Sequence, residues 1–585
     1  MEMRIDMFRI ILIVSIVTLL SPLTSCRTGG AEKERPNIIL IMSDDVGYSD
    51  IGCYGSEIET PELDRLADNG IRFSQFYNTA RCCPTRASLL TGLYPAQTGM
   101  GFMTGDQGAP GYRGEIGNMC VTLAEVLKPA CYQTYMAGKW HVARNLSGID
   151  SLKYNWPLQR GFDKFYGTIH GAGSYWDPMT LVRGNTLITP YNDPEYNPGE
   201  SWYYTDAISD NAIKFIEEHV QEAEEDPFFM YVAYTAAHWP LHAPEDEIAL
   251  HQGKYDAGYA AIRKKRHQKL KTLGLVDENW QLSQGVADWD TVQNKSWHTR
   301  NMEVYAAMIS RMDRGIGEIV DALANKGMLE NTLILYLQDN GGCDETMGRL
   351  VNDCQYDTLS GTPVFDPMSP DELQIQMAPR QNRLGFPVVM MSKKVMAGPD
   401  YTYHAYGPAW ANVSNTPFRK FKQWVHEGGI STPLIAHWPA RIKDHGKIRR
   451  QPGHLIDIMA TMVDISGADY PEVYKGQRIL PMEGKSLLDV FTDNHTLDRE
   501  AIYFEHGGNR AVRLGNWKLV SKAYPRNWRF VRVDEIPLDQ WALYDLETDR
   551  TETNNLADQH PEKVKKMAEQ WQGWAERTHT IPKPR

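Results

Sequence analysis

Asn37-Ile38-Ile39-Leu40-Ile41-Met42-Ser43-Asp44-Asp45 decides the fold. An unbroken apolar run rich in branched residues reads as a strand covered on both faces, the condition of strands in a parallel sheet. The run stops at Ser43, so two carboxylates stand at a strand's carboxyl end, where ligands gather in open α/β sheets. The same grammar returns at Thr332–Leu337, which ends in Gln338-Asp339-Asn340-Gly341-Gly342, and at Pro227–Tyr234, followed by His238-Trp239-Pro240-Leu241-His242. Tyr132–Gly138 predicts another strand, ending in Lys139-Trp140-His141. Between these runs lie helical patterns. The clearest is Asn301–Lys326, with Val304, Met308, Met312, Ile316, Ile319 and Leu323 recurring at three and four. Pro61–Asn69, with Thr60 as its cap, and Val121–Lys128 predict shorter helices. The alternation gives an α/β fold, a large mixed and mostly parallel sheet sandwiched between helices.

From about Gly453 the character changes. Ala501–His506, Ala511–Val520 and Trp541–Leu546 read as short antiparallel strands, and Pro561–Arg577 as a closing amphipathic helix. The expected organisation is a signal peptide at 1–26, a tether at 27–35, an α/β catalytic domain at 36–452 and a smaller C-terminal α+β subdomain at 453–585. Cys343–Pro417 carries few periodic runs, and loops this long in a compact domain usually serve an active site.

The chain has 585 residues and a formal net charge of -13. That balance argues against nucleic acid as a partner, and an anionic substrate would have to be drawn by a local cationic site. Arg4 and Arg9 precede an apolar run, Ile10–Leu20, too short to span a bilayer but suited to a signal-peptide core. Leu23-Thr24-Ser25-Cys26 then resembles a bacterial lipobox with Cys26 as the lipidated residue; a simple cleaved signal is the alternative. On the lipobox reading the protein meets the membrane only through that anchor, in the periplasm or at the cell surface. The eight cysteines include no Cys-x-x-Cys pair, so zinc ribbons and thioredoxin-like motifs are unsupported. The basic run Arg263-Lys264-Lys265-Arg266-His267 reads as a solvated helix face.

Several residues carry chemistry by type and place. Asp44, Asp45, Asp339 and Asn340 are an oxygen set suited to Ca2+ or Mg2+, although either pair alone also reads as a turn. Lys139 and His141, two apart on an extended segment, face one side. Cys82 precedes a predicted helix through Ala87–Leu90, whose N-terminus offers N–H groups to an anion.

Arg81-Cys82-Cys83-Pro84-Thr85-Arg86-Ala87-Ser88-Leu89-Leu90-Thr91-Gly92 resembles the C-x-P-S/T-R signature of the type I, formylglycine-dependent sulfatases. The match is to their arylsulfatase-like branch, within the alkaline phosphatase superfamily. Gly138-Lys139-Trp140-His141 is similar to that family's G-K-W-H motif, and His238-Trp239-Pro240 to its H-x-P element, which favours His238 over His242. Lys422 stands six residues before Gly428, the spacing of the family's lysine, which leaves Lys420 as a neighbour. Departures are mild: a second cysteine at 83, and Thr85 where serine is common. The resemblance implies conversion of Cys82 to formylglycine (3-oxoalanine) by a maturation enzyme. It also implies a Ca2+ or Mg2+ ion held by Asp44, Asp45, Asp339, Asn340 and residue 82. Arg86, Lys139 and Lys422 would hold the sulfuryl oxygens and Asp339 would activate the attacking hydroxyl. His238 would protonate the leaving alcohol and His141 would deprotonate the second hydroxyl.

Substrate contacts are expected from His170, Tyr175 and Trp176, from Tyr406 and Trp410, and from His506, Asn509 and Arg510. Such aromatic and polar side chains suit a sugar ring, so a sulfated glycan is the favoured substrate. Small aryl sulfates, phosphate or phosphonate monoesters, and non-catalytic glycan binding remain as alternatives.

Overall fold

The computed structural model describes residues 35–199, 202–346, 356–521 and 540–581. The expected signal peptide, the Cys26 lipobox and nearly all of the tether lie outside the described residues. No helix among the described residues is long and apolar enough to cross a membrane.

The main sheet runs, in spatial order, through Lys447–Arg449, Ile71–Tyr77, Ser431–His437, Thr332–Gln338, Asn37–Ser43, Phe228–Ala233, Gln133–Lys139, Lys164–Thr168, Leu181–Arg183 and Thr186–Leu187. Gly453–His454 also pairs with Ile71–Tyr77. The five strands from Thr332–Gln338 to Lys164–Thr168 are parallel, with Met42 opposite Ala233 and Ser43 opposite Gln338. Apolar runs produce this because alternate residues feed two cores. Ile39 and Ile41 enter one, with Met230, Val232 and Tyr336; Ile38, Leu40 and Met42 enter the other, with Tyr231 and Leu335. Helices Tyr204–Glu222 and Lys295–Asn325 cover the first face, and Cys82–Thr91, Asp457–Ser466 and Pro561–Arg577 the second. The α/β expectation stands.

One strand breaks the parallel order. Ser431–His437 is antiparallel to both of its neighbours, Ile71–Tyr77 and Thr332–Gln338. It therefore begins at the edge where the parallel strands end, and the loop preceding it arrives there too.

A separate four-stranded antiparallel sheet comprises Ala501–His506, Asn509–Leu514, Trp517–Ser521 and Trp541–Asp545. The single run expected over Ala511–Val520 is thus two strands, split where Gly515 takes a left-handed φ of 56°. Val512, Leu519 and Leu543 pack toward the closing helix's Met567 and Trp571, while Phe504, Val520 and Tyr544 pack with Tyr77 and Ile430 of the main body.

Other local readings change in the structure. Helix Lys295–Asn325 starts earlier than its periodicity indicates, where buried Trp297 donates its indole N–H to Ser392 O at 2.9 Å. Thr60 occupies the cap position of helix Pro61–Asp68 without capping it, since its hydroxyl accepts from Gly52 N at 2.8 Å. The cap comes from across the fold: Asp313 accepts from Glu62 N at 3.0 Å and Leu63 N at 2.8 Å. The basic run is only partly a solvated face. Arg266 is buried on Asp50 and Glu57, and Arg263 on Ser283, because both turn inward on helix Gly258–Thr272.

Burial pushes the Asp313 carboxyl up to about 7 from an ordinary 3.8. A carboxyl raised on folding binds its proton more tightly in the folded chain. Its contribution to stability is therefore complete below pH 3.8 and is lost as pH rises through 7. Urea unfolding of wild type and Asp313→Asn from pH 5 to 8 is expected to show wild type losing ground to the variant by up to about 1.4 kcal/mol per pH unit. A pH-independent difference between the two would refute this.

Candidate active site

Four neighbouring strands deliver their carboxyl ends to one edge, and the site is assembled there. Asn37–Ser43 brings Asp44 and Asp45, Thr332–Gln338 brings Asp339 and Asn340, Gln133–Lys139 brings Lys139 and His141, and Phe228–Ala233 leads to His238. Ile71–Tyr77 leads into helix Cys82–Thr91, which starts at Cys82 itself, with Arg81 extended at its cap position. The antiparallel strand contributes from the other direction, through the loop holding Lys422.

Lys139 and Lys422 are fully buried on carboxylates. Lys139 Nζ binds Asp44 Oδ2, and Lys422 Nζ donates to Asp45 Oδ1 at 2.7 Å. Arg86 bridges Asp44 Oδ2 at 3.2 Å and Asp339 Oδ2 at 3.0 Å, and its other arm reaches Tyr231 Oη and Lys139 O, both at 3.2 Å. Asn340 Nδ2 donates to Asp45 Oδ1 at 2.7 Å, and Asp45 N to Asp339 Oδ1 at 3.3 Å. His238 Nε2 lies 3.4 Å from Asp45 Oδ2. Lys139 and His141 share the site, but not through an extended segment: His141 takes a left-handed φ of 55°, and the intervening Trp140 donates its indole N–H to Asn155 O at 2.8 Å.

Three carboxylates thus face three fixed cations. Burial, followed by the Asp44 carboxylate, pushes Asp339 well above the ordinary carboxylate range, so the cluster calls for more positive charge. The oxygens say where. Asp44 Oδ1, Asp45 Oδ2 and Asn340 Oδ1 are buried and accept no hydrogen bond. Orphaned buried acceptors are rare in folded proteins, and three hard oxygens together match a Ca2+- or Mg2+-type ion. A divalent ion would take the site to a net +2, ready for an anionic ester.

Cys82 stands at the first position of helix Cys82–Thr91, fully buried beside this cluster. A hydrogen bond from Cys83, and then Lys139, His141 and Lys422, hold the Cys82 thiol well below its ordinary range in spite of burial. The position therefore favours a negative atom. Burial lowers His141 to about 3, leaving a neutral imidazole able to accept a proton. Burial also lowers His238, with Asp45 opposing it.

Of the expected substrate contacts, His170 lies beside the site, its ring 5.7 Å from that of His141. Partly buried Trp176 packs on Tyr203, with ring centroids 5.0 Å apart. Tyr175 holds a turn, its hydroxyl donating to Thr235 O at 2.7 Å and His238 O at 3.0 Å. Trp410 must be corrected. It is fully buried among Tyr255, Tyr259 and Trp289 and donates its indole N–H to His298 O, so it is a core residue that touches no substrate. Arg510 is buried against Trp541 and Trp571, and His506 stacks on Phe102; neither joins the cluster around Asp45. Asn509 donates to Gln423 O at 3.2 Å, next to Lys422. Tyr406 stacks on Tyr305, with centroids 4.5 Å apart. His242 is committed elsewhere, its Nε2 2.6 Å from Thr402 O.

Sequence reasoning missed Tyr231, Glu345 and Asn415. Tyr231 is the one hydroxyl-bearing residue in the apolar run Phe228–Ala233, which was its only signal. Glu345 accepts from Gln423 Nε2 at 2.6 Å and Trp239 Nε1 at 3.3 Å and pairs with Arg81, joining the segments that flank Cys82, His238 and Lys422. Asn415 Oδ1 accepts from Gly342 N at 2.8 Å, fixing the turn after Asn340.

A cradle of hard oxygens and three fixed cations, with a buried cysteine at a helix N-terminus beside them, suit the hydrolysis of an anionic ester. Residues 36–468 match the family model Sulfatase, and 418–576 the model for the C-terminal part of N-sulphoglucosamine sulphohydrolase. An uncharacterized sulfatase of Schizosaccharomyces pombe is 30% identical over 578 residues, 95% of this chain and 96% of its own. An arylsulfatase of Klebsiella aerogenes is 31% identical over 468 residues, 78% of this chain and 92% of its own. A structure solved in complex with its substrate, D-glucosamine-2-N,6-O-disulfate, shares the fold with a TM-score of 0.57, covering 94% of this chain and 99% of that one at 20% identity. The chain belongs to the sulfatase family, and it is a sulfuric ester hydrolase.

Proposed function

We propose that the protein removes O-sulfate from sulfated carbohydrates, with residue 82 in the formylglycine form and Ca2+ or Mg2+ held by Asp44, Asp45, Asp339 and Asn340. The observation that carries the chemistry is the convergence of Arg86, Lys139 and Lys422 on those carboxylates, around the Cys82 position. Together the ion and the converted side chain supply Lewis acidity and an oxygen nucleophile. Arg86, Lys139 and Lys422 orient the sulfuryl oxygens and offset their growing charge. On this reading Asp339 would accept a proton from the attacking group, His238, as the imidazolium facing Asp45, would give its Nε2 proton to the departing alcohol, and His141 Nε2 would accept a proton as sulfate leaves.

Support for a sugar comes from the relatives. An N-acetylgalactosamine-6-sulfatase of Rattus norvegicus is 25% identical over 85% of this chain, and the fold neighbour above was solved with a glucosamine disulfate. His170 and Trp176 supply the polar and aromatic surfaces a pyranose needs. A panel of sulfated monosaccharides tested beside an aryl sulfate and matched phosphate esters is expected to show turnover led by the sulfated sugars. Turnover confined to the aryl sulfate would replace the sugar by an aryl group, and preference for phosphate would move the reaction class. Mass spectrometry of the Cys82 peptide from the native host is expected to show the aldehyde. The same reading places the enzyme on a bacterial membrane by a lipid at Cys26, so Cys26→Ser is expected to release it into the soluble fraction.

A further inference from the structure

Beside the oxygen cradle stands a second, chemically different donor set. Cys82, Cys83 and His141 each offer one ligand atom, and the three atoms lie within 4.8 Å of one another. Cys83 Sγ is 3.2 Å from His141 Nε2. The three residues are 2%, 0% and 5% exposed, so water does not compete for them. They come from two rigid elements. The cysteines open helix Cys82–Thr91, and His141 sits in the turn after strand Gln133–Lys139. The imidazole is held in place by Gly171, where any Cβ would come within 2.0 Å of the ring.

Donor type separates this set from its neighbour. Asp44, Asp45 and His238 form a distinct group of possible ligands dominated by carboxylate oxygen, which suits Ca2+ or Mg2+. Two sulfurs and an imidazole nitrogen instead select soft or borderline cations and leave one position open. A surface pair of cysteines would be weak grounds for a site. Here a third donor arrives from a different strand, and all three are buried with their donor atoms within 4.8 Å of one another.

We propose that the chain with a thiol at position 82 carries a second metal site, in which Cys82, Cys83 and His141 bind one soft cation such as Zn2+. Each coordinating thiol releases its proton to solvent as the ion binds. The site requires only the thiol form of residue 82 and is independent of what the enzyme hydrolyses. Conversion of Cys82 to an aldehyde removes one of the two sulfurs, so metal capture and conversion exclude each other at this residue. Unconverted protein is thereby capped by metal instead of presenting a free thiol beside the oxygen cradle.

The test uses the full chain produced in a host without the maturation enzyme, titrated with Co2+ in the presence of excess Ca2+ to fill the oxygen cradle. One equivalent of Co2+ is expected to bind with an intense near-ultraviolet sulfur-to-cobalt charge-transfer band, displaced by Zn2+. Cys83→Ser and His141→Ala are each expected to weaken binding by more than about 100-fold, beyond the 10–100-fold typical of an outer-shell partner. Cys120→Ser, at a buried thiol outside the set, is expected to keep the band, and circular dichroism checks that every variant is folded. A missing sulfur band in the folded wild-type chain would overturn the proposal. So would a band that survives Cys83→Ser unchanged, since other thiols would then be the ligands.

Discussion

Asp45→Asn is expected to lower kcat/KM by at least about a thousandfold, equivalent to ~4 kcal/mol of transition-state stabilisation. Asp45 is the residue on which the site converges. One carboxylate oxygen accepts from Lys422 and Asn340, both at 2.7 Å, and the other is an orphan 3.4 Å from His238. The amide would weaken the cation cradle and leave the buried Lys422 ammonium without a counter-charge, so the cradle and the lysine beside it would fail together. Metal content and kcat/KM measured on one preparation check this. Full occupancy with near-normal turnover would show that Asp45 does not hold the ion.

Lys518→Met is expected to destabilise the fold by about 3–5 kcal/mol, the usual cost of breaking a buried ion pair from one side. Lys518 Nζ is fully buried between Glu427 Oε1 at 2.7 Å and Glu552 Oε1 at 2.9 Å. Glu427 also accepts from Arg550 Nε and Ser431 Oγ, both at 2.8 Å, while its own N–H donates to Glu552 Oε2 at 3.0 Å. Burial alone would raise the Glu427 carboxyl, but Lys518 and then Arg550 hold it at about 2. This cluster fastens the C-terminal sheet to the loop that carries Lys422. Turnover of the folded variant is therefore expected to fall as well, while a Lys518→Met, Glu552→Gln pair should recover part of the stability, because Glu427 keeps Arg550 as its partner and the carboxylate that lost Lys518 is neutralised. Urea unfolding provides the measure. A loss below about 1 kcal/mol would place the pair in the range of weak surface contacts.

What could be read in the sequence follows from which forces are local. The central strands were legible because a run such as Ile38–Met42 has to be covered on both faces, and the carboxylates at its end needed no further information. Lys139, His141, His238 and Lys422 became legible through resemblance, since no periodicity marks a lysine in a loop. The Asp313 cap and the Glu427 cluster were hidden because they join residues 91 to 250 positions apart. Trp410 misled for the opposite reason: an indole looks the same in a core as in a sugar site until its neighbours are known. The inward turn of Arg263 and Arg266 was likewise invisible, because their partners Ser283, Asp50 and Glu57 lie on other segments.

The reversed strand Ser431–His437 also sets an order of events. It lies between Ile71–Tyr77, which leads to Cys82, and Thr332–Gln338, which leads to Asp339 and Asn340. While the chain is being synthesised, those two strands have no direct partner in each other. In the sheet that gap is filled by residues 431–437. Lys422 arrives with that strand, so Cys82 and Asp339 are brought into one edge by nearly the last segment of the main sheet to be made. In the finished sheet this one strand is what joins the two halves of the active-site edge.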